Sequence, residues 1–325
     1  MKRIPPSFSL ALLLLSCNGD DAVPAEDVSA DDEVPTLDPP PEGAGFQISM
    51  TGSAPAFSET WLCAVYDLPT TDYAAVNSVE FMQNGGTHHM TLSTLGLTGG
   101  DLEPGMYDCE ELYGNSSLMQ DQIMFFGNQG DVEGVLTLPQ GVVANLPPGL
   151  QIIHEVHYVN VTDADLPLYS VLNAWTIPQD EITNMVWGGS VRDETIAIPA
   201  AAEHSEWSRC VMNEDVEVVF LASHMHAKGV EFTIAEFDGT DAGEVFYTND
   251  DWHNPKITQY DAPLTVPAGE GFEWTCTWDN TGDEPVQYGP TAEDEMCNLA
   301  VVFTPFSMTA ACEVVETSDG VLWEQ

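Results

Sequence analysis

Short strand-like runs make up most of this chain, and almost none of it shows the 3.6-residue periodicity of an amphipathic helix. The runs 79–82, 134–138, 151–159, 216–221, 230–236, 271–278 and 299–304 are rich in Val, Ile, Thr, Phe, Tyr and Trp. Those residues fit a pleated, half-buried surface. Turn-forming sequences stand between the runs, among them Asn84-Gly85-Gly86, Leu146-Pro147-Pro148-Gly149 and Asp279-Asn280-Thr281-Gly282. Gly, Pro, Asn and Asp supply the dihedrals that tight reversals require. Many short strands with turns between them argue for antiparallel β-sandwiches or barrels. The run 151–159 alternates only in part, which fits a strand buried on both faces.

The first residues, Met1-Lys2-Arg3, lead into an apolar run over 8–15. That run is too short to span a bilayer and has the form of a secretory signal. It ends Leu14-Leu15-Ser16-Cys17, which resembles a bacterial lipobox. We therefore expect a lipoprotein signal over 1–16 and lipid on Cys17, with an ordinary signal peptide cut elsewhere as the competing reading. Residues 17–45 are rich in Asp, Glu, Pro and Ala and poor in large apolar side chains. Such a stretch buries too little surface to fold and reads as a disordered, acidic tether. About 280 residues remain, which suits two domains, 46–190 and 191–325.

The formal charge is −47, and only six residues are Lys or Arg. Two of those lie in the signal, leaving Arg192, Arg209, Lys228 and Lys256. This balance excludes nucleic acid and anionic membranes as partners of the folded body. The only membrane contact expected is the lipid anchor, on the envelope of a salt-tolerant bacterium, with the body monomeric.

Of the seven cysteines, six remain if Cys17 carries lipid: Cys63, Cys109, Cys210, Cys276, Cys297 and Cys312. An even number in an exported protein points to disulfides. Metal-binding thiolates are the alternative, but no two of the six stand at Cys-x-x-Cys spacing.

The chain has eight histidines, and five of them fall in short motifs: His88-His89-Met90, Glu155-Val156-His157-Tyr158 and His224-Met225-His226. A further motif is Asp294-Glu295-Met296-Cys297. On one strand, His224 and His226 would point to the same face and could share a metal ion. His-x-His alone is a weak signal, and a plain pair on a strand face is about as common. The adjacent His88 and His89 converge only at a twist, bulge or strand end, which Asn84-Gly85-Gly86 could supply. His157 could complete a three-imidazole set, with His154 as the competitor. Met296 alone reads as a core methionine beside a disulfide. Beside two imidazoles it becomes a soft thioether ligand, good for copper and poor for zinc.

In order and rough spacing these motifs resemble the copper type II, ascorbate-dependent monooxygenases. The resemblance runs over about residues 46–325 and extends through His224-Met225-His226-Ala227-Lys228-Gly229 and Asp294-Glu295-Met296-Cys297-Asn298. It implies two consecutive jelly-roll-like antiparallel β-sandwich domains. It implies that His88, His89 and His157 hold an electron-transfer copper, and that His224, His226 and Met296 hold the copper where oxygen is activated. Ascorbate or another one-electron donor would reduce both ions, and an activated C–H bond of a small substrate would be hydroxylated with O2. The pairs it implies are Cys63–Cys109, Cys210–Cys312 and Cys276–Cys297.

Members that amidate peptides hold the peptide carboxylate with an Arg and a Tyr, and this chain has Ala222 and Ala300 at those places, while Asn298 remains. The acidic field favours a cationic or neutral substrate. A copper-buffering lipoprotein without turnover, and a β-sandwich scaffold with incidental histidines, are the competing readings.

Overall fold

A computed structural model of the chain describes residues 37–95, 102–113, 122–129, 131–252, 255, 257–289 and 294–321. The signal segment, Cys17, His253 and Lys256 lie outside the described residues. The chain divides into two compact units between Met185 and Val186. The boundary expected near residue 190 falls inside the first strand of the second unit.

The first unit is built from β1 (Gly45–Ala54), β2 (Ser58–Asp67), β3 (Ala74–Gln83), β4 (Thr87–Leu95), β5 (Gly105–Asp108), β6 (Gln122–Gln129), β7 (Glu133–Thr137), β8 (Val142–Leu146), β9 (Gln151–Asn160), β10 (Leu166–Thr176) and β11 (Asn184–Met185). A single helical turn, α1 (Cys109–Tyr113), follows β5. One sheet has the order β5-β2-β9-β4-β6, and the other runs β1-β10-β3-β8-β11 with β7 also on β3. Strands distant in sequence lie side by side, as a jelly roll requires. Phe46, Val79 and Leu172 of one sheet face Leu92 and Ile152 of the other across the apolar interior. β9 is buried through its first six residues, as its incomplete alternation predicts.

Residues 37–44 form no strand, yet they are not detached from the sandwich. The carbonyls of Leu37 and Asp38 accept hydrogen bonds from the side chains of Gln47 (2.8 Å) and Asn173 (2.8 Å). The tail of the stretch read as a tether is thus pinned by polar side chains rather than by apolar burial.

The second unit contains β12 (Trp187–Arg192), β13 (Ala197–Ile198), β14 (Ala202–Met212), β15 (Val216–His224), β16 (Gly229–Phe237), β17 (Ala242–Asn249), β18 (Ile257–Val266), β19 (Gly271–Asn280), β20 (Val286–Gln287), β21 (Asn298–Thr304), β22 (Cys312–Thr317) and β23 (Gly320–Val321). Its sheets run β12-β21-β15-β18 and β17-β16-β19-β14-β22-β23, with a small β13-β20 ladder beside them. β21 is buried at all seven positions, and Trp274 and Trp278 of β19 are fully buried. The protein is thus nearly all-β, with antiparallel sandwiches.

Three disulfides brace these sheets. Cys63–Cys109 ties β2 to α1, Cys210–Cys312 ties β14 to β22, and Cys276–Cys297 ties β19 to the residue after Met296. The pairs are those the family resemblance implies. The last closes a separation of 21 residues, a loop whose closure stabilises the fold by about 3 kcal/mol in the chain-entropy account.

Candidate metal centres

The first centre lies where β4 meets β9. The ladder between them shifts register between Thr87 and His89. His88 occupies that irregularity, so both neighbouring rings turn the same way, which a regular strand forbids. Gly86 sets up the shift at φ 87°. A Cβ there would come within 2.8 Å of the Tyr158 ring. His89 then stands opposite His157. The ligand-capable nitrogens of His88, His89 and His157 all lie within 4.8 Å of one another, on half-buried side chains.

The geometry fits one ion. Nδ1 of His88 and Nδ1 of His89 are 3.2 Å apart. Two ligands about 2.0 Å from a tetrahedral ion stand about 3.3 Å apart. Nε2 of His89 donates to Glu155 Oε1 at 3.2 Å. That bond fixes the tautomer and leaves Nδ1 as the lone-pair donor, the arrangement in which a carboxylate orients a metal-binding imidazole. Glu155 is only 8% exposed and also accepts from Trp61 Nε1 (2.9 Å) and the Tyr113 hydroxyl (3.1 Å). Burial raises its pKa, but the hydrogen bonds from His89, Trp61 and Tyr113 oppose that, and the carboxyl stays below its ordinary range. Burial, with the neighbouring His89, lowers the pKa of His157, which keeps that imidazole neutral, as a ligand must be.

His154 is the rejected competitor. It lies three residues before His157 on β9 and so faces the other way. It is fully buried, and its Nε2 pairs with Ser170 Oγ at 2.9 Å.

The second centre involves the end of β15, the segment after it and the residues before β21. His224 closes β15, and His226 lies beyond the strand end. The expected same-face pair on one strand is therefore corrected: a turn closed by Gly229 N–H donating to the His226 carbonyl (2.9 Å) presents the second ring. Gly229 then opens β16. The two rings are 5.3 Å apart at 86°. His226 Nδ1 donates to the Asp294 carbonyl at 3.0 Å, which leaves its Nε2 as the donor for a metal.

Glu295 joins the segments that carry these side chains. It is fully buried. Its Oε2 accepts from the backbone of His226 (2.9 Å), from Trp278 Nε1 (3.1 Å) and from the backbone of Met296 (3.3 Å), and its Oε1 accepts from the backbone of Lys228 (2.7 Å). The sequence assigns Glu295 no role, although the absence of any Lys or Arg next to it in its own motif hints that N–H donors must satisfy it. Asn298 stands directly opposite His224, and its side-chain amide donates to Met296 Sδ at 3.1 Å. His224, His226 and Met296 are thus tied through Asn298, Glu295 and Asp294. Half-buried imidazoles with a nearby thioether form a donor set suited to copper.

Residues 184–324, essentially the second unit, match the family described as copper type II ascorbate-dependent monooxygenase, C-terminal domain. The match spans less than half of the chain and includes His224, His226 and Met296. Among solved structures, a chain described as the structure of infectious bursal disease virus Gx strain shares 10% identity over 88% of this chain and 78% of that chain. Its TM-score of 0.17 carries no argument about fold or function.

Proposed function

We propose that this protein is a copper- and ascorbate-dependent monooxygenase that hydroxylates an activated C–H bond of a small substrate with O2. The observation that carries the reading is the pairing of two features. Residues 184–324 match the C-terminal domain of such enzymes, and the other unit holds a three-imidazole cluster that fits a metal ion. Copper bound at the two centres would supply one-electron redox chemistry and the means to activate oxygen. In the overall reaction one oxygen atom enters the C–H bond and the other leaves as water, with ascorbate or a similar donor providing the electrons.

The chain's own residues prepare both centres. Glu155 orients His89 and fixes its tautomer. Glu295 and the Asp294 carbonyl hold His226 beside the Met296 segment, and the Cys276–Cys297 bridge anchors that segment to β19. The three disulfides support an exported protein, consistent with lipid attachment at Cys17.

The test is direct. The copper-loaded protein should consume O2 in an ascorbate-dependent way and release a hydroxylated product. Met296→Ile should lose most of that activity, while copper quantification finds the His88-His89-His157 centre still filled. Full turnover by this variant, or stoichiometric copper binding with no turnover in the parent protein, would sink the assignment.

A further inference from the structure

The sheet β12-β21-β15-β18 has one face turned into the sandwich. Ser223 lies on that face, and its hydroxyl pairs with Tyr247 of the opposite sheet at 2.8 Å. Residues on the alternate positions therefore stand on the outer face. Directly opposed residues of antiparallel strands share a face. Arg192 opposes Asn298, and Asn298 opposes His224. These three make one row across the sheet. The adjacent row on the same face is Ser190, Ala300 and Ala222.

In these two rows the buried Arg192 Nε, Ser190 Oγ and Asn298 Oδ1 have no hydrogen-bond partner among the described residues. Native proteins leave few such atoms, because each costs about 1–3 kcal/mol of desolvation. The amide nitrogen of Asn298 is already committed to Met296 Sδ. The Nε–H of Arg192 and the O–H of Ser190 are thus two donors lacking an acceptor, in the row of His224 and the row next to it.

Charge sharpens the point. The chain has 53 Asp and Glu against six Lys and Arg. Arg209 is held by Glu273 (2.6 Å) and Glu316 (2.7 Å). Among the described residues, no ion pair of that kind holds Arg192. The adjacent Asp193 turns elsewhere: its oxygens accept from Thr195 (backbone and hydroxyl) and from Ser208. One partner of the Arg192 guanidinium is the Tyr288 hydroxyl, whose oxygen accepts from it; that group is neutral and leaves the positive charge without a carboxylate. Where carboxylates are in such excess, a guanidinium left without one is available to an anion from outside the chain.

We propose that Arg192 and Ser190 form an anion subsite on this face, which takes the carboxylate of the substrate and sets its C–H bond toward His224 and Met296. Its role as a substrate anchor rests on the hydroxylase reading; its anion binding does not. Arg192 and His224 stand two strands apart, about 10 Å between Cα atoms. The bound carboxylate is therefore offset from the reacting carbon by several bonds. Asn298 Oδ1 is left for an O–H or N–H of the same molecule. The acidic surface that pointed away from anionic substrates gives way here to local geometry, since a fixed guanidinium at short range outweighs distant, screened charges.

The experiment measures binding, not turnover, by calorimetry on the full protein, both copper-free and copper-loaded. The probes are 3-phenylpropionate and its neutral amide. The acid should bind at least about tenfold more tightly than the amide, with or without copper. Arg192→Gln should erase that preference, Arg192→Lys should keep part of it, and Ser190→Ala should weaken the acid alone. Equal binding of acid and amide, or acid binding by Arg192→Gln at the parent's affinity, overturns the subsite. If Arg192→Gln does not fold, Ser190→Ala and Arg192→Lys decide by the same comparison. Loss of the subsite with ascorbate-dependent turnover intact leaves the hydroxylase reading standing. The reverse result leaves the subsite without the enzyme.

Discussion

At the scale of single residues, strand parity decides which histidine joins the candidate metal cluster and which is buried on the opposite face. His154 and His157 share β9 but face opposite sides. Burial pulls the His154 pKa from 6.5 down to about 4, with the Glu155 charge opposing the shift. The folded value lies below the unfolded one, so the unfolded chain binds more protons between them. Stability is complete above about pH 6.5 and is lost as pH falls toward 4, by about 3 kcal/mol from this group. Urea unfolding of the copper-free protein between pH 7 and 4 should show that slope, and His154→Gln, which keeps a polar partner for Ser170, should flatten it. A variant with the parent's slope would assign the acid sensitivity elsewhere. The burial and the pKa shift of His154 could not be read from the sequence, where both histidines sit in the same apolar run.

At the scale of elements, the strands were legible because their apolar and β-branched runs match the spans that fold. The runs 79–82, 216–221 and 299–304 lie within β3, β15 and β21. The irregularity at His88 was legible too, since Asn84-Gly85-Gly86 announces a turn just before it. The exit of the chain at His224 was not, because no Gly or Pro stands between His224 and Ala227 and the turn is set by Glu295, about 70 residues away. Gly86 gives the element-scale prediction. Its φ is 87°, and a Cβ added to it would stand 2.8 Å from the Tyr158 ring. Gly86→Ala should therefore cost about 1–3 kcal/mol. It should also weaken metal binding at His88, His89 and His157 in a chelator competition. Unchanged stability and unchanged metal affinity together would show that the bulge does not depend on Gly86.

At the scale of the whole molecule, charge governs how the protein responds to its solvent. A formal charge of −47 repels itself in any compact state. The Debye length falls from about 10 Å at 0.1 M salt to about 3 Å at 1 M. The melting temperature should therefore rise as NaCl is added over that range, and a flat or falling response would show that the carboxylates are spaced widely enough not to matter. The same excess explains why the few cations are informative: Arg209 is consumed by carboxylates of its own sheet, and Arg192 is not.

The sequence by itself determined the all-β character, the inventory of imidazoles and the thioether, and the even set of body cysteines. Local composition and short-range pattern carry each of these. The choice of His157 over His154, open on the residues alone and implied by the family resemblance, is made physically by the tertiary pairing that sets His157 opposite His89. Tertiary structure alone brought Glu155 to His89, seated Glu295 under four N–H donors and placed Arg192 in the row of His224. Each of those outcomes depends on register between strands distant in the chain, and a one-residue slip would turn every side chain involved to the opposite face.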